Sequence, residues 1–299
     1  MGMLENIKTG KIKKPYLILM QGVDGVGKST WASEAPSPIF LGNEDGTNYL
    51  DVARMPTPKT FKDVMQGISE LTEGKHEYKT LVIDSLDWME TLAWAHVCSE
   101  NNWKNIEDPG YGKGYTIVLD TWKKMITALA MLREKRGMNI ILIAHTLVKP
   151  FNDPNLPAPY DRYIIKMQDK AAALFREFVD SVLFATYEIY IKEGKSGQKT
   201  KAFGGEKRVL YTERRGGFDA KNRLGLPFEL PLSFEAFARA AEKGEPDSPA
   251  ILKAEIESLL PLCPEEIRMK AIEIRDAAGN NVTQLEKLAN RLRVNAGNR

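Results

Sequence analysis

Gly22-Val23-Asp24-Gly25-Val26-Gly27-Lys28-Ser29 is the stretch that decides the fold. It has the form G-x-x-x-x-G-K-[ST] and follows an apolar run, Tyr16-Leu17-Ile18-Leu19-Met20, that predicts a buried strand. Glycines let successive backbone N–H groups turn toward a phosphate chain, a lysine reaches its β and γ oxygens, and a serine hydroxyl ligates Mg²⁺. Thr30 opens a helix whose start faces the anion. Gly22, Asp24, Gly25, Val26, Gly27, Lys28, Ser29 and Thr30 are therefore the expected binding set for ATP, with Ser29 on its magnesium ion.

Working outward, further apolar runs at 38–42, 80–84, 139–144 and 181–187 alternate with helical stretches. This pattern predicts an α/β fold with a mostly parallel sheet covered by helices on both faces. Pro36 and Pro38 must end the helix after the phosphate loop early. Segments 59–73 and 115–135 carry apolar residues at helical spacing and are expected to cover the sheet. From 188 to 213, glycines punctuate short segments, which reads as an antiparallel hairpin extension of a core spanning 1–243. A loop at 244–249 then precedes a helical C-terminal appendage over 250–299.

Composition narrows the function classes. The 299 residues include 42 Lys+Arg against 40 Asp+Glu, a net charge of +2, so any nucleic-acid surface has to be a local patch. Cys98 and Cys263 lie far apart, and neither they nor His76, His96 and His145 have zinc-ligand spacing. No apolar core of a signal peptide and no run of about 18 apolar residues is present, so a cytoplasmic, non-membrane protein with reduced thiols is expected.

Three strand ends carry the remaining chemistry. Asp84 closes Leu81-Val82-Ile83-Asp84, where a carboxylate points into the ligand crevice and suits Mg²⁺, although Asp84 or Ser85 also suits a helix cap. Glu44, just beyond the second strand, would stand beside the γ-phosphate as the base that activates water, with Asp45 the alternative if the strand end shifts by one residue. His145 is expected to end the fourth strand, where a polar group contacts the γ-phosphate as a sensor or serves structure alone.

With these residues in order, the chain resembles the RecA-like branch of P-loop ATPases. More narrowly, it is similar to phage-encoded AAA/RecA-type ATPases, a group that includes proteins of single-strand annealing and recombination. The stretches that carry the likeness are the phosphate loop, Pro38-Ile-Phe-Leu-Gly-Asn-Glu-Asp-Gly46, Thr80-Leu-Val-Ile-Asp-Ser85, Gly110-Tyr-Gly-Lys-Gly-Tyr115 and Ala220-Lys-Asn-Arg-Leu-Gly-Leu-Pro227. The resemblance implies ATP hydrolysis with Glu44 activating water and His145 sensing γ-phosphate. It also implies a homo-oligomer whose subunits insert basic residues, here Lys221 and Arg223, into a neighbour's active site. It further implies the cytoplasm of a bacterial host, single-stranded DNA as a partner, and contact with other recombination or replication proteins.

Between Lys192 and Arg223, ten basic residues face four acidic ones, interleaved with Phe203, Tyr211 and Phe218, a pattern suited either to a single strand or to a solvated hairpin face. The glycine-broken loop 103–115 and a Pro-rich loop at 149–163 are further DNA candidates. Two other readings compete with the ATPase. One is a nucleotide kinase, because the phosphate loop is similar to that of thymidylate kinases and Asp161-Arg162-Tyr163 to their nucleoside-binding triplet. The other is a non-hydrolysing nucleotide switch that loads a helicase.

Overall fold

The computed structural model describes all residues except 1–6, 8, 11, 44, 193–200, 244–248, 282–283, 286, 290 and 293–299. The chain divides into two compact units, Met1–Arg223 with Phe228–Ala238, and Leu224–Pro227 with Arg239–Arg299.

The first unit is built on ten strands among the described residues, the central ones buried on both faces as a helix-covered parallel sheet demands. These are β1 (Leu17–Gly22), β2 (Pro38–Gly42), β3 (Ala53–Arg54), β4 (Thr80–Asp84), β5 (Asn139–Phe151), β6 (Tyr160–Ile165), β7 (Ser181–Lys192), β8 (Lys201–Tyr211), β9 (Lys221–Asn222) and β10 (Glu229–Pro231). Their order is β10-β8-β7-β1-β5-β4-β2-β3, with β6 beside β5 and β9 beside β7. From β7 to β3 the pairing is parallel. The phosphate-loop strand is therefore central, flanked by β5 on one side and β7 on the other. This is an α/β fold with a mostly parallel sheet covered by helices.

Helices α1 (Lys28–Ser33), α2 (Phe61–Glu73), α3 (Leu86–Asn101), α4 (Lys113–Arg136) and α5 (Asp169–Phe178) fill the crossovers. α1 is six residues long, as Pro36 and Pro38 require. α2 starts with a capping box in which Thr60 accepts from the Asp63 amide and Asp63 accepts from the Thr60 amide. Its buried stripe, Phe61, Val64, Ile68 and Leu71, packs with α4, where Trp122 meets Phe61 and Phe175 edge-on at 5.7 and 5.1 Å. On the opposite face Trp31 of α1 packs against Phe234 and Phe237 of α6 (Phe234–Lys243).

One element differs from the sequence reading. Residues 149–163 form a hairpin with its loop at 152–159, because β5 runs on past His145 and pairs antiparallel with β6 from Thr146↔Ile165 to Phe151↔Tyr160. Beyond the parallel sheet this strand has a free edge, where Pro150 removes no required donor. The antiparallel hairpin expected at 188–213 is present in its described residues, where β7 pairs with β8, and β7 begins earlier as the parallel neighbour of β1.

The second unit has its own core. α7 (Pro249–Leu259) and α8 (Glu265–Ala278) contribute Leu252, Ile256 and Ala271, which cluster with Cys263, Leu285, Leu288 and Leu292. No helix of the described residues is long and apolar enough to cross a membrane.

Candidate active site

The phosphate loop joins β1 to α1 and is shaped by glycine. Gly25 and Gly27 have φ of 72° and 104°, in the left-handed region that side chains avoid. Gly22 presses so close to β7 that a Cβ there would stand 2.2 Å from the Ala185 carbonyl oxygen. Lys28 is buried, and its ammonium donates to the carbonyls of Gly22 and Val23 at 3.1 and 3.0 Å. The Ser29 hydroxyl donates to Asp84 Oδ2 at 2.6 Å, so the two residues expected to hold the metal converge although 55 positions apart. Asp84 is 2% exposed at the carboxyl end of β4. Asp24 is exposed on the loop, and Thr30 is exposed on α1.

β2 reaches the same rim. Gly42 lies opposite Asp84, where a Cβ would stand 1.8 Å from the Asp84 carbonyl oxygen, and the Asn43 amide donates to that oxygen at 3.2 Å. Glu44, the next residue, lies outside the described residues, as does the side chain of Asp45.

His145 is not a strand terminus, since β5 continues to Phe151, but it stands beside Gly22 in the parallel register. Asp87 of α3 holds it twice, accepting from its backbone amide at 3.0 Å and lying 3.0 Å from ring Nδ1. Nε2 then faces Asp24 of the phosphate loop at 3.9 Å. Burial alone would raise the Asp87 carboxyl, but the hydrogen bonds from the His145 ring and amide outweigh it and hold the group below the ordinary carboxylate range. One turn on, Glu90 is 5% exposed and accepts from the Gln168 amide through both oxygens at 3.1 Å. Burial pushes it up to about 7, opposed by that amide and assisted by the charge of Asp87.

Tyr187 and Arg208, a registered pair across β7 and β8, also reach the phosphate loop. Neither they nor Asp87 is signalled by the sequence, because each acts through a contact made only on folding.

The other expected residues do not join this cluster. Lys221 does not present a free ammonium, because its Nζ donates to the carbonyls of Arg176, Glu177 and Val179 and caps α5. Burial there lowers its affinity for the proton. Arg223 is exposed. Tyr211 and Phe218 do not interleave with the charges as open platforms. They stack on each other at 5.0 Å, and Phe218 stacks on Phe184 at 4.3 Å. Lys207 pairs with Glu188 and Glu229, and Arg215 sits over the Phe228 ring at 3.8 Å. The side chain of Phe203, together with Lys195 and Lys199, lies outside the described residues. In the loop 103–115, Tyr111 is fully exposed between two left-handed glycines, Gly110 and Gly112, whereas Tyr115 packs edge-on against Trp94.

A family described as an AAA domain matches residues 14–224, from before β1 to just past β9. A protein of Bacillus subtilis (strain 168), described as the SPbeta prophage-derived uncharacterized protein YorG, is 23% identical over 155 residues. That match takes in 48% of this chain and 46% of the relative, so the chain spans about half the length of the curated relative it matches. Among solved structures, a crystal structure of the RadB recombinase aligns at 16% identity and a TM-score of 0.37, over 68% of this chain and 84% of that one. With more than half of its length inside the family match and the phosphate loop at the centre of its sheet, the chain belongs to the AAA domain family of P-loop proteins.

Proposed function

We propose that this chain binds Mg²⁺·ATP at the β1–α1 loop and hydrolyses it, and that turnover serves a single-stranded-DNA transaction in phage recombination, annealing or replication. The observation that carries the nucleotide reading is the Ser29–Asp84 hydrogen bond at 2.6 Å beneath a loop that already gathers the Lys28 ammonium. Two hard oxygen donors at that separation fit Mg²⁺, which takes one or two protein ligands and completes its shell with phosphate and water. When bound, the ion neutralises charge on the β and γ oxygens.

The chain's own residues supply the rest. Lys28 exchanges the Gly22 and Val23 carbonyls for phosphate oxygens. Glu44 follows Asn43 at the β2 terminus and takes the proton of the attacking water; Asp45 takes that role if the glutamate does not. His145, with Nδ1 engaged by Asp87, directs Nε2 toward the loop and responds to γ-phosphate there. Arg223 is the exposed basic residue suited to a neighbouring subunit's site.

The kinase reading loses its nucleoside triplet. Arg162 is 3% exposed in β6, paired with Asp219 and lying over the Phe151 ring. The deciding experiment is ATP turnover with and without single-stranded DNA at two salt concentrations, since phosphate-driven affinity falls steeply with salt. Turnover that DNA accelerates supports the proposal and excludes the silent switch. Absence of turnover, or phosphorylation of dTMP, sinks it.

A further inference from the structure

The hairpin β7–β8 touches the phosphate loop at two consecutive peptide groups. The Tyr187 hydroxyl donates to the Gly25 carbonyl at 2.8 Å, and Arg208 Nη1 donates to the Val26 carbonyl at 3.4 Å. The two side chains are direct cross-strand neighbours, and the β7–β8 register shifts immediately after Tyr187. The Arg208 guanidinium lies so close to the loop that a Cβ on Gly27 would meet Nη1 at 2.8 Å. Glycine at 27 therefore admits the guanidinium as well as the left-handed backbone.

In a planar trans peptide the C=O of one residue and the N–H of the next point in opposite directions. A donor that fixes the Gly25 carbonyl on the β8 side thus aims the Val26 N–H the other way, and one that fixes the Val26 carbonyl does the same for the Gly27 N–H. Those are amides of the phosphate cradle. We infer that Tyr187 and Arg208 are positioning residues that brace the phosphate loop from behind, setting two of its amides for the triphosphate before the ligand arrives. The inference rests on the proposed binding of nucleotide at this loop. Binding to an already ordered cradle avoids the ordering cost at that step, so the brace acts on affinity.

Tyr187→Phe removes one hydroxyl and keeps the ring; Arg208→Leu removes the guanidinium donors and the charge. Each variant and the parent protein are titrated with a fluorescent ATP analogue in Mg²⁺, and each is melted without nucleotide. Loss of one such hydrogen bond is expected to raise Kd about tenfold. The ligand-free melting temperature should fall by no more than a few degrees in Tyr187→Phe, about what one hydrogen bond to an exposed loop carbonyl contributes. The double variant should lose less than the product of the single losses, because both donors order one loop. If Arg208→Leu does not fold, Tyr187→Phe decides alone. Unchanged Kd in Tyr187→Phe, or a lowered melting temperature with unchanged Kd, overturns the brace. Failure of the parent protein to bind the analogue instead overturns the nucleotide reading on which it stands.

Discussion

Glu90 makes the stability of the first unit depend on pH in the range where most carboxylates are silent. Its carboxyl is 5% exposed on α3 and is pushed from 4.5 up to about 7, first by burial and then by the charge of Asp87, against the favourable Gln168 amide. In the unfolded chain the group ionises near its ordinary value, so between about pH 4.5 and 7 the folded state binds the extra proton. Stability must then fall as pH rises through that window. At roughly 1.4 kcal/mol per pH unit, the rise from 4.5 to about 7 amounts to about 3 kcal/mol, fully present below pH 4.5 and gone above 7. Asp87 shifts the opposite way, and its contribution is lost only as pH falls below the ordinary Asp range, outside this window. Glu90→Gln keeps an acceptor for the Gln168 amide and cannot ionise. Urea denaturation at pH 5, 6, 7 and 8 tests the argument. All five tryptophans, Trp31, Trp88, Trp94, Trp103 and Trp122, lie in the first unit, so their fluorescence reports its unfolding without the second. The parent protein should lose about 2.5 kcal/mol between pH 5 and 8, and the variant should show a flat profile over the same range. Parallel profiles for the two proteins would refute the assignment.

Other expectations follow from individual contacts. Glu44→Gln should retain ATP binding while turnover drops on the order of 10²–10⁴-fold in a steady-state assay, and full turnover would move the base to Asp45. Lys221→Met should cost about 1–3 kcal/mol in urea denaturation, because three carbonyls at the α5 terminus lose their donor, and should leave turnover per folded molecule unchanged; a collapse of turnover instead would restore it to a neighbour's active site. Arg162→Leu removes the buried partner of the half-buried Asp219 carboxylate, leaving it Arg214 at 3.7 Å, and should destabilise by about 1–3 kcal/mol in the same measurement.

How far the chain can be read without coordinates varies from element to element. Five of the six parallel strands were legible because each is a short apolar run closed by glycine, proline or a polar residue, whereas the two-residue β3 leaves no such run; α2 and α4 were legible because their buried stripes repeat at helical spacing. The Ser29–Asp84 meeting was legible too, since both motifs end strands or loops that a parallel sheet gathers at one edge. The β5–β6 hairpin was not, because Pro150 and the polar stretch 152–159 resemble a loop and only the pairing of the two strands distinguishes them from one. Tyr187 and Arg208 were invisible for a different reason, being 162 and 182 residues from the carbonyls they hold. Lys221 shows the converse, a basic residue in a suggestive pair whose contact with a helix end no sequence pattern announces.

The phosphate loop is gripped from both strands that flank β1, and the two grips differ in kind. On the β5 side Asp87 fixes His145, which faces the exposed Asp24 at 3.9 Å, a contact long enough to yield when a more highly charged phosphate enters. On the β7 side two donors hold loop carbonyls at hydrogen-bonding distance, an arrangement that a ligand on the opposite, N–H face need not disturb. Under the proposed nucleotide binding, the β5 side is the one free to yield and the β7 side the one expected to stay. The changing side leads through α3 and Glu90 to the start of α5, whose far end Lys221 caps beside β9. A nucleotide-dependent movement in this unit should accordingly travel along α3 and α5, with β7 and the base of its hairpin as the fixed frame against which it is measured.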